Sequence, residues 1–196
     1  MSMPTPRTTA FLAGLFLCAF LWNSQSNAQE PGRTMLMPLT AKNAPLQKDL
    51  PDFTGLVREY FAGNPRIVIL GADQLESLLG NTSGNNRQLL QVAGDKLGCT
   101  SALLITLNRY RERLGDEYSV TDPASLAFEY QLIDVATGKT ICFGQFDETQ
   151  KPVSENVLAI GQAFKRGFKW ITVTDLAKEA LQRKFDSCPD LTAAAN

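Results

Sequence analysis

Residues 97–113 read LGCTSALLITLNRYRER. Gly98 closes a helical repeat, and the chain after it is apolar early and charged late. This predicts one long strand over Thr100 to Arg113. A second strand is predicted over Ser125 to Val135, with Leu126, Phe128, Tyr130 and Leu132 on one face, because alternate residues of a strand share a side. A turn over Asp134 to Lys139 then returns the chain through Thr140 to Phe146, a hairpin with a Gly-containing loop. Strands joined this tightly run antiparallel, so the three form a meander.

Upstream of this meander, helices separate the strands. Met35 to Leu39 (MLMPL) reads as a short buried strand whose pairing Pro38 limits. Ala41 to Leu50 is polar and loop-like, and Pro51 suits a first helical turn. Phe53, Leu56, Val57, Tyr60 and Phe61 then follow helical spacing as far as Gly63. Arg66 to Leu70 (RIVIL) is a continuous apolar strand, expected to be covered on both faces. Two helices follow: 72–79, with Leu75, Leu78 and Leu79 on one side, and 87–97, with Leu89, Val92, Ala93 and Leu97 inward. Downstream, FDETQKPVSEN (146–156) reads as a strand-to-helix corner, in which Pro152 forbids helix at Lys151 and Ser154 caps a helix over 155–166. Thr172 and Asp175 form a capping box. Val173, Leu176, Ala177, Ala180, Leu181 and Phe185 make the next amphipathic face. The expected fold is α/β (α+β): a single mixed five-stranded sheet with helices packed on it.

The N-terminus carries an export signal. Arg7 precedes the 13-residue apolar run Ala10 to Trp22, and Ser26-Asn27-Ala28 offers small residues for cleavage. The run is shorter than the roughly 20 residues of a spanning helix, and no later stretch is apolar enough to span. Cys18 raises the question of a lipid anchor. Leu17 before it is large where acylation sites carry Gly, Ala or Ser, so ordinary cleavage is expected. The organisation is therefore a signal peptide over 1–28, a flexible leader over 29–34, one domain over 35–188 and a disordered tail over 189–196.

Composition excludes several function classes. The chain has no histidine, which removes a Ser-His-Asp triad, a Cys-His dyad and His-ligated zinc. Without Arg7, 18 of the 19 basic residues remain against 20 acidic ones; that balance leaves no electrostatic footprint for nucleic acid. Gly138-Lys139-Thr140 resembles the tail of a P-loop, but Ile133 stands where the first glycine belongs and a strand follows instead of a helix. No cofactor or metal motif is present. Cys99, Cys142 and Cys188 lack CxxC spacing; an oxidising compartment suits one disulfide and one buried thiol, with Cys188 as the member that ties down the tail.

The remaining candidates are charged. Arg109, Arg111 and Arg113 recur at period two and would share a face if the strand persists. Asp147 and Glu148 are adjacent and face opposite ways if extended, whereas paired-carboxylate catalysis needs convergent acids. With Lys151, these six residues form the candidate partner-binding set; ion pairs between the arginines and Asp116, Glu117, Asp147 or Glu148 are the simpler expectation.

MLMPL, RIVIL, Leu97-Gly98-Cys99 opening the central strand, and the turn Asp134-x-x-Thr137-Gly138 together resemble the TolB N-terminal-like and CsgG-like family of bacterial envelope proteins over about residues 35–150. The resemblance implies a periplasmic or secreted, non-enzymatic protein that binds another envelope component, in secretion, outer-membrane assembly or activation of a cell-wall synthase. No long insertion suits a pore-forming hairpin. The competing expectations are a carboxylate-dependent cell-wall hydrolase and a small-ligand binding module.

Overall fold

The computed structural model describes residues 32–80, 82–151, 169–188 and 191. The helix expected over 155–166 lies outside them, as do the export signal and most of the tail. Among the described residues the strands are β1 (Arg33–Leu36), β2 (Thr40–Ala41), β3 (Ile67–Ile69), β4 (Cys99–Arg111), β5 (Leu114–Gly115), β6 (Val120–Asp122), β7 (Ser125–Asp134) and β8 (Thr140–Thr149). The α-helices are α1 (Leu50–Tyr60), α2 (Ala72–Leu79), α3 (Asn86–Leu97) and α4 (Val173–Phe185), with a 3-10 turn at Ala44–Lys48.

The main sheet has the order β3-β1-β4-β7-β8, with β2 beside β4 beyond the end of β1. β1 runs parallel to both β3 and β4, and β4, β7 and β8 form the antiparallel meander. This is the mixed sheet expected, enlarged to six strands by β2, which pairs Thr40 with Thr106 and Ala41 with Leu107. A separate ribbon, β5–β6, fills the connection between β4 and β7. RIVIL is an edge strand, yet both its faces are covered, because Ile67 and Ile69 meet one core and Val68 the other.

Helices lie on both faces. On the first, α1 and α4 pack over Leu103, Ile105, Leu107, Leu126, Phe128 and Leu132. The face of α4 is the one its periodicity predicts, with Val173, Leu176, Ala177, Ala180, Leu181 and Phe185 all buried. Phe185 joins Phe61, Phe128 and Tyr130 in an aromatic cluster with centroids 5.1–6.5 Å apart, a spacing at which tilted and edge-on rings attract. Leu191, beyond the domain boundary read from sequence, is buried in this core too.

On the second face, α2 and α3 cover a smaller core of Met35, Leu70, Ala93, Cys99, Ala102 and Val135. Of the residues expected inward on α3, Ala93 and Leu97 face the core, joined by Leu90 and Gly94 in place of Leu89 and Val92. The reason is Gly94, where a Cβ would stand 2.7 Å from Val135 and 3.0 Å from the Cys99 carbonyl. The helix therefore rests its glycine on the sheet. Arg87 and Gln91 anchor it further by donating to the Ala136 carbonyl at 3.2 and 3.0 Å.

The cysteines settle as expected in kind. Cys142 of β8 is bonded to Cys188 just past α4, and Cys99 is a buried free thiol. Burial pushes the Cys99 thiol pKa up, against the opposing pull of Arg33.

Candidate functional site

β8 continues through Thr149, three residues past the end read from sequence at Phe146. Its polar end is held because Ala127, Leu126 and Ser125 of β7 pair with Asp147, Glu148 and Thr149. The two acids therefore sit in a strand and point to opposite faces of the sheet. Asp147 meets the Arg109 guanidinium, which also donates to the Ser125 hydroxyl. Glu148 lies on the helix side and accepts from Arg183 of α4 at 3.0 Å; that guanidinium stacks 5.0 Å from the centroid of Phe146.

The arginine stripe is shorter than its spacing suggests. A bulge between Leu107 and Arg109 shifts the β4–β7 register, so that Tyr110 returns to the core side against Phe53 at 6.2 Å. Arg109 and Arg111, opposite Ala127 and Ser125, share the other side. The strand ends at Arg111, and Arg113 turns away to donate to the Trp170 carbonyl at 2.7 Å. Glu112 accepts from the Val173 amide at 3.2 Å and so serves the α4 N-terminus. Lys151 is exposed beyond the end of β8. The six candidates consequently do not form one surface: Arg109, Arg111 and Asp147 share the open face, and Arg113, Glu148 and Lys151 lie elsewhere.

The acids that a hydrolase would need are dispersed in the same way. Asp116 accepts from the Tyr118 and Ser119 amides at 2.8 and 2.7 Å, and these bonds lower its pKa. Asp134 accepts from the Thr137 hydroxyl and amide, which lowers its pKa as well. That bonding, with Gly138 at φ 70°, is the hairpin turn that the sequence predicts here. Among the described residues no three His, Cys, Asp or Glu side chains form a group able to hold a metal ion, and no helix is long and apolar enough to cross a membrane.

The feature that sequence did not disclose lies on the second face. The helices α2 and α3 cover only its β3-β1 side and the start of β4. Towards β8, a groove of about 670 Å³ runs over Leu104, Thr106, Glu129, Gln131, Phe143 and Gln145. Phe143 is 80% exposed and Ile141 43% exposed. An aromatic inside an apolar strand signals burial, and only the sheet order, with β8 last, reveals that nothing described stands over it.

Among the described residues no strand pairs with the outer side of β8 either. The Gln150 amide donates to the Ala124 carbonyl at 3.0 Å, and hydrogen-bonded pairs alternate along an antiparallel ladder. Even-numbered residues from Cys142 to Glu148 therefore bond to β7. The odd ones, Phe143, Gln145 and Asp147, aim their N–H and C=O groups away from the sheet.

The fold and this surface define a mixed α+β sheet domain whose last strand, β8, pairs on one side only among the described residues. No protein-family model matches the chain, and no curated protein matches its sequence. Several solved structures are similar to the chain in part. The LpoB C-terminal domain from Escherichia coli is 19% identical with a TM-score of 0.42, over 61% of this chain and 84% of that one. The hypothetical protein CT253 from Chlamydia trachomatis is 13% identical with a TM-score of 0.46, over 84% and 99%. Lipoprotein GNA1162 from Neisseria meningitidis is 14% identical with a TM-score of 0.38, over 69% and 97%.

Proposed function

We propose that this is an exported, non-enzymatic binding module of the bacterial envelope, of the TolB N-terminal-like and CsgG-like kind, acting as an accessory to another periplasmic or outer-membrane component. The observation that carries the reading is the half of the second sheet face that no described element covers, where Phe143 stands 80% exposed on a strand that is last in the described sheet. An apolar side chain and a row of free backbone groups in one place are features that a partner can bury. The dispersal of the acids supports the same reading over a carboxylate-dependent hydrolase, since Asp147 and Glu148 point apart and each is bound to an arginine. The groove over Leu104 and Phe143 is only partly enclosed, whereas small-ligand sites bury most of their occupant.

The test is affinity capture from periplasmic and membrane extracts with the mature chain, beside Arg111→Glu, which reverses a charge on the open face. A specific partner retained by wild type and weakened by Arg111→Glu is the expected result. Capture of nothing by either protein would overturn the reading.

A further inference from the structure

We infer that the partner is held by strand addition. An extended segment of it pairs with the free edge of β8, setting an apolar side chain against Phe143 and a carboxylate toward Lys184. The inference rests on the binding reading above and names its mode and the chemistry of its partner.

The edge is suited to receive a strand. Across Ile141 to Phe146 it carries no charge and no proline, the residues that normally blunt a sheet edge. Phe143, Gln145 and Asp147 present outward amides and carbonyls at every second position, which is the spacing an added antiparallel strand satisfies. Gly144 keeps the middle of the edge low. A Cβ there would stand 2.6–2.8 Å from the Tyr130 ring, which lies against it and is held by a 2.9 Å bond from its hydroxyl to the Lys184 carbonyl.

The two faces of the edge differ in charge, and that difference specifies the occupant. On the open face Phe143 and Ile141 offer apolar surface. On the helix side Lys184 of α4 borders the same groove beside Gly144 and Gln145. Among the described residues its ammonium meets no carboxylate, while the neighbouring Arg183 is taken by Glu148. Successive residues of an added strand point to opposite faces, so the complementary segment alternates apolar and acidic residues. A second copy of this chain fits worse: two-fold pairing of β8 with itself near Phe143 or Gly144 would bring Lys184 close to its own symmetry mate.

The test is a titration of the ¹⁵N-labelled mature chain with two blocked peptides, Thr-Val-Glu-Val-Glu-Val-Thr and its twin with Lys for Glu. The acidic peptide is expected to shift the amides of Phe143, Gln145 and Asp147 and slow their hydrogen exchange, and to bind at least tenfold more tightly than the basic one. Lys184→Glu should reverse that preference. Gln145→Pro should abolish binding, because it deletes one outward N–H while the β7–β8 ladder, read from the Cys142, Gly144 and Phe146 amides, stays protected. Equal binding of the two peptides, shifts confined to other elements, or protection of the odd amides by self-association would each overturn the inference. The same Gln145→Pro protein in the capture experiment separates the two claims. A partner that both wild type and Gln145→Pro retain overturns strand addition and leaves the binding reading standing; no partner for wild type overturns the binding reading itself.

Discussion

The Cys142–Cys188 bond joins the strand that forms the free edge to the end of the helix behind it, across 46 residues of chain. Its removal, by Cys142→Ser with Cys188→Ser, releases that closure in the unfolded chain. The loop-entropy relation gives about 13 to 14 cal/mol/K for a loop of this length, or about 4 kcal/mol at 25 °C. For a domain of this size such a loss corresponds to a fall in melting temperature of roughly 8–16 °C. The assay is thermal unfolding of the mature chain, wild type against the double variant, each with and without reductant. Wild type in reductant should melt near the double variant, and the variant should not respond to reductant. Thiol labelling supplies a second reading: the buried Cys99 should stay unlabelled in the native state and become the one reactive thiol of the oxidised mature chain on unfolding. A fall of less than about 2 °C in the double variant would refute the argument that this bond closes a loop the unfolded chain otherwise leaves open.

Further outcomes follow from the packing. Gly144→Ala should destabilise by about 1–3 kcal/mol, as over-packing does, because the Tyr130 ring it meets is held at both its face and its hydroxyl; chemical denaturation measures it, and a neutral result would mean that the ring can move aside. Thr172→Ala should cost about 1 kcal/mol, since the Thr172 hydroxyl accepts from the Asp175 amide at the start of α4. Burial, reinforced by the charge and hydrogen bond of Asp186, pushes the Tyr60 pKa up to about 12. A phenol whose folded pKa is raised contributes stability that is intact below its unfolded pKa near 10 and is lost as pH climbs toward 12. Stability curves of wild type and Tyr60→Phe should therefore differ in slope between about pH 10 and pH 12, and parallel curves there would contradict the assignment.

Much of this architecture was legible in the residues, and the parts that were not share a physical cause. The inward face of α4 and the strands β4 and β7 announce themselves, because long segments buried on one side must repeat their apolar residues at the period of their own geometry. Thr172 and Gly98 mark element ends through chemistry local to the chain. β2 and the β5–β6 ribbon are only two or three residues long, too short for any period, and exist because a partner strand is adjacent. The bulge at Asn108 is invisible for the same reason, and it puts Arg109 and Arg111 on the open face, while the end of β4 at Arg111 leaves Arg113 to bond to Trp170. The end of β8 was misplaced because Asp147, Glu148 and Thr149 look like loop residues, whereas pairing with Ser125 to Ala127 carries the strand on. The candidate surface was half legible: Asp147 and Arg109 do meet, but the open groove beside them depends on sheet order and on how far α2 and α3 reach.

In the free protein no described element pairs with the outer edge of β8. Residue-resolved hydrogen exchange on the isolated mature chain tests it directly. Exchange should alternate: slow at the Cys142, Gly144, Phe146 and Glu148 amides, which bond to β7, and fast at Phe143, Gln145 and Asp147, which face outward. Slow exchange at all seven amides of the monomer would contradict it, because the edge would then already be covered by the protein's own chain.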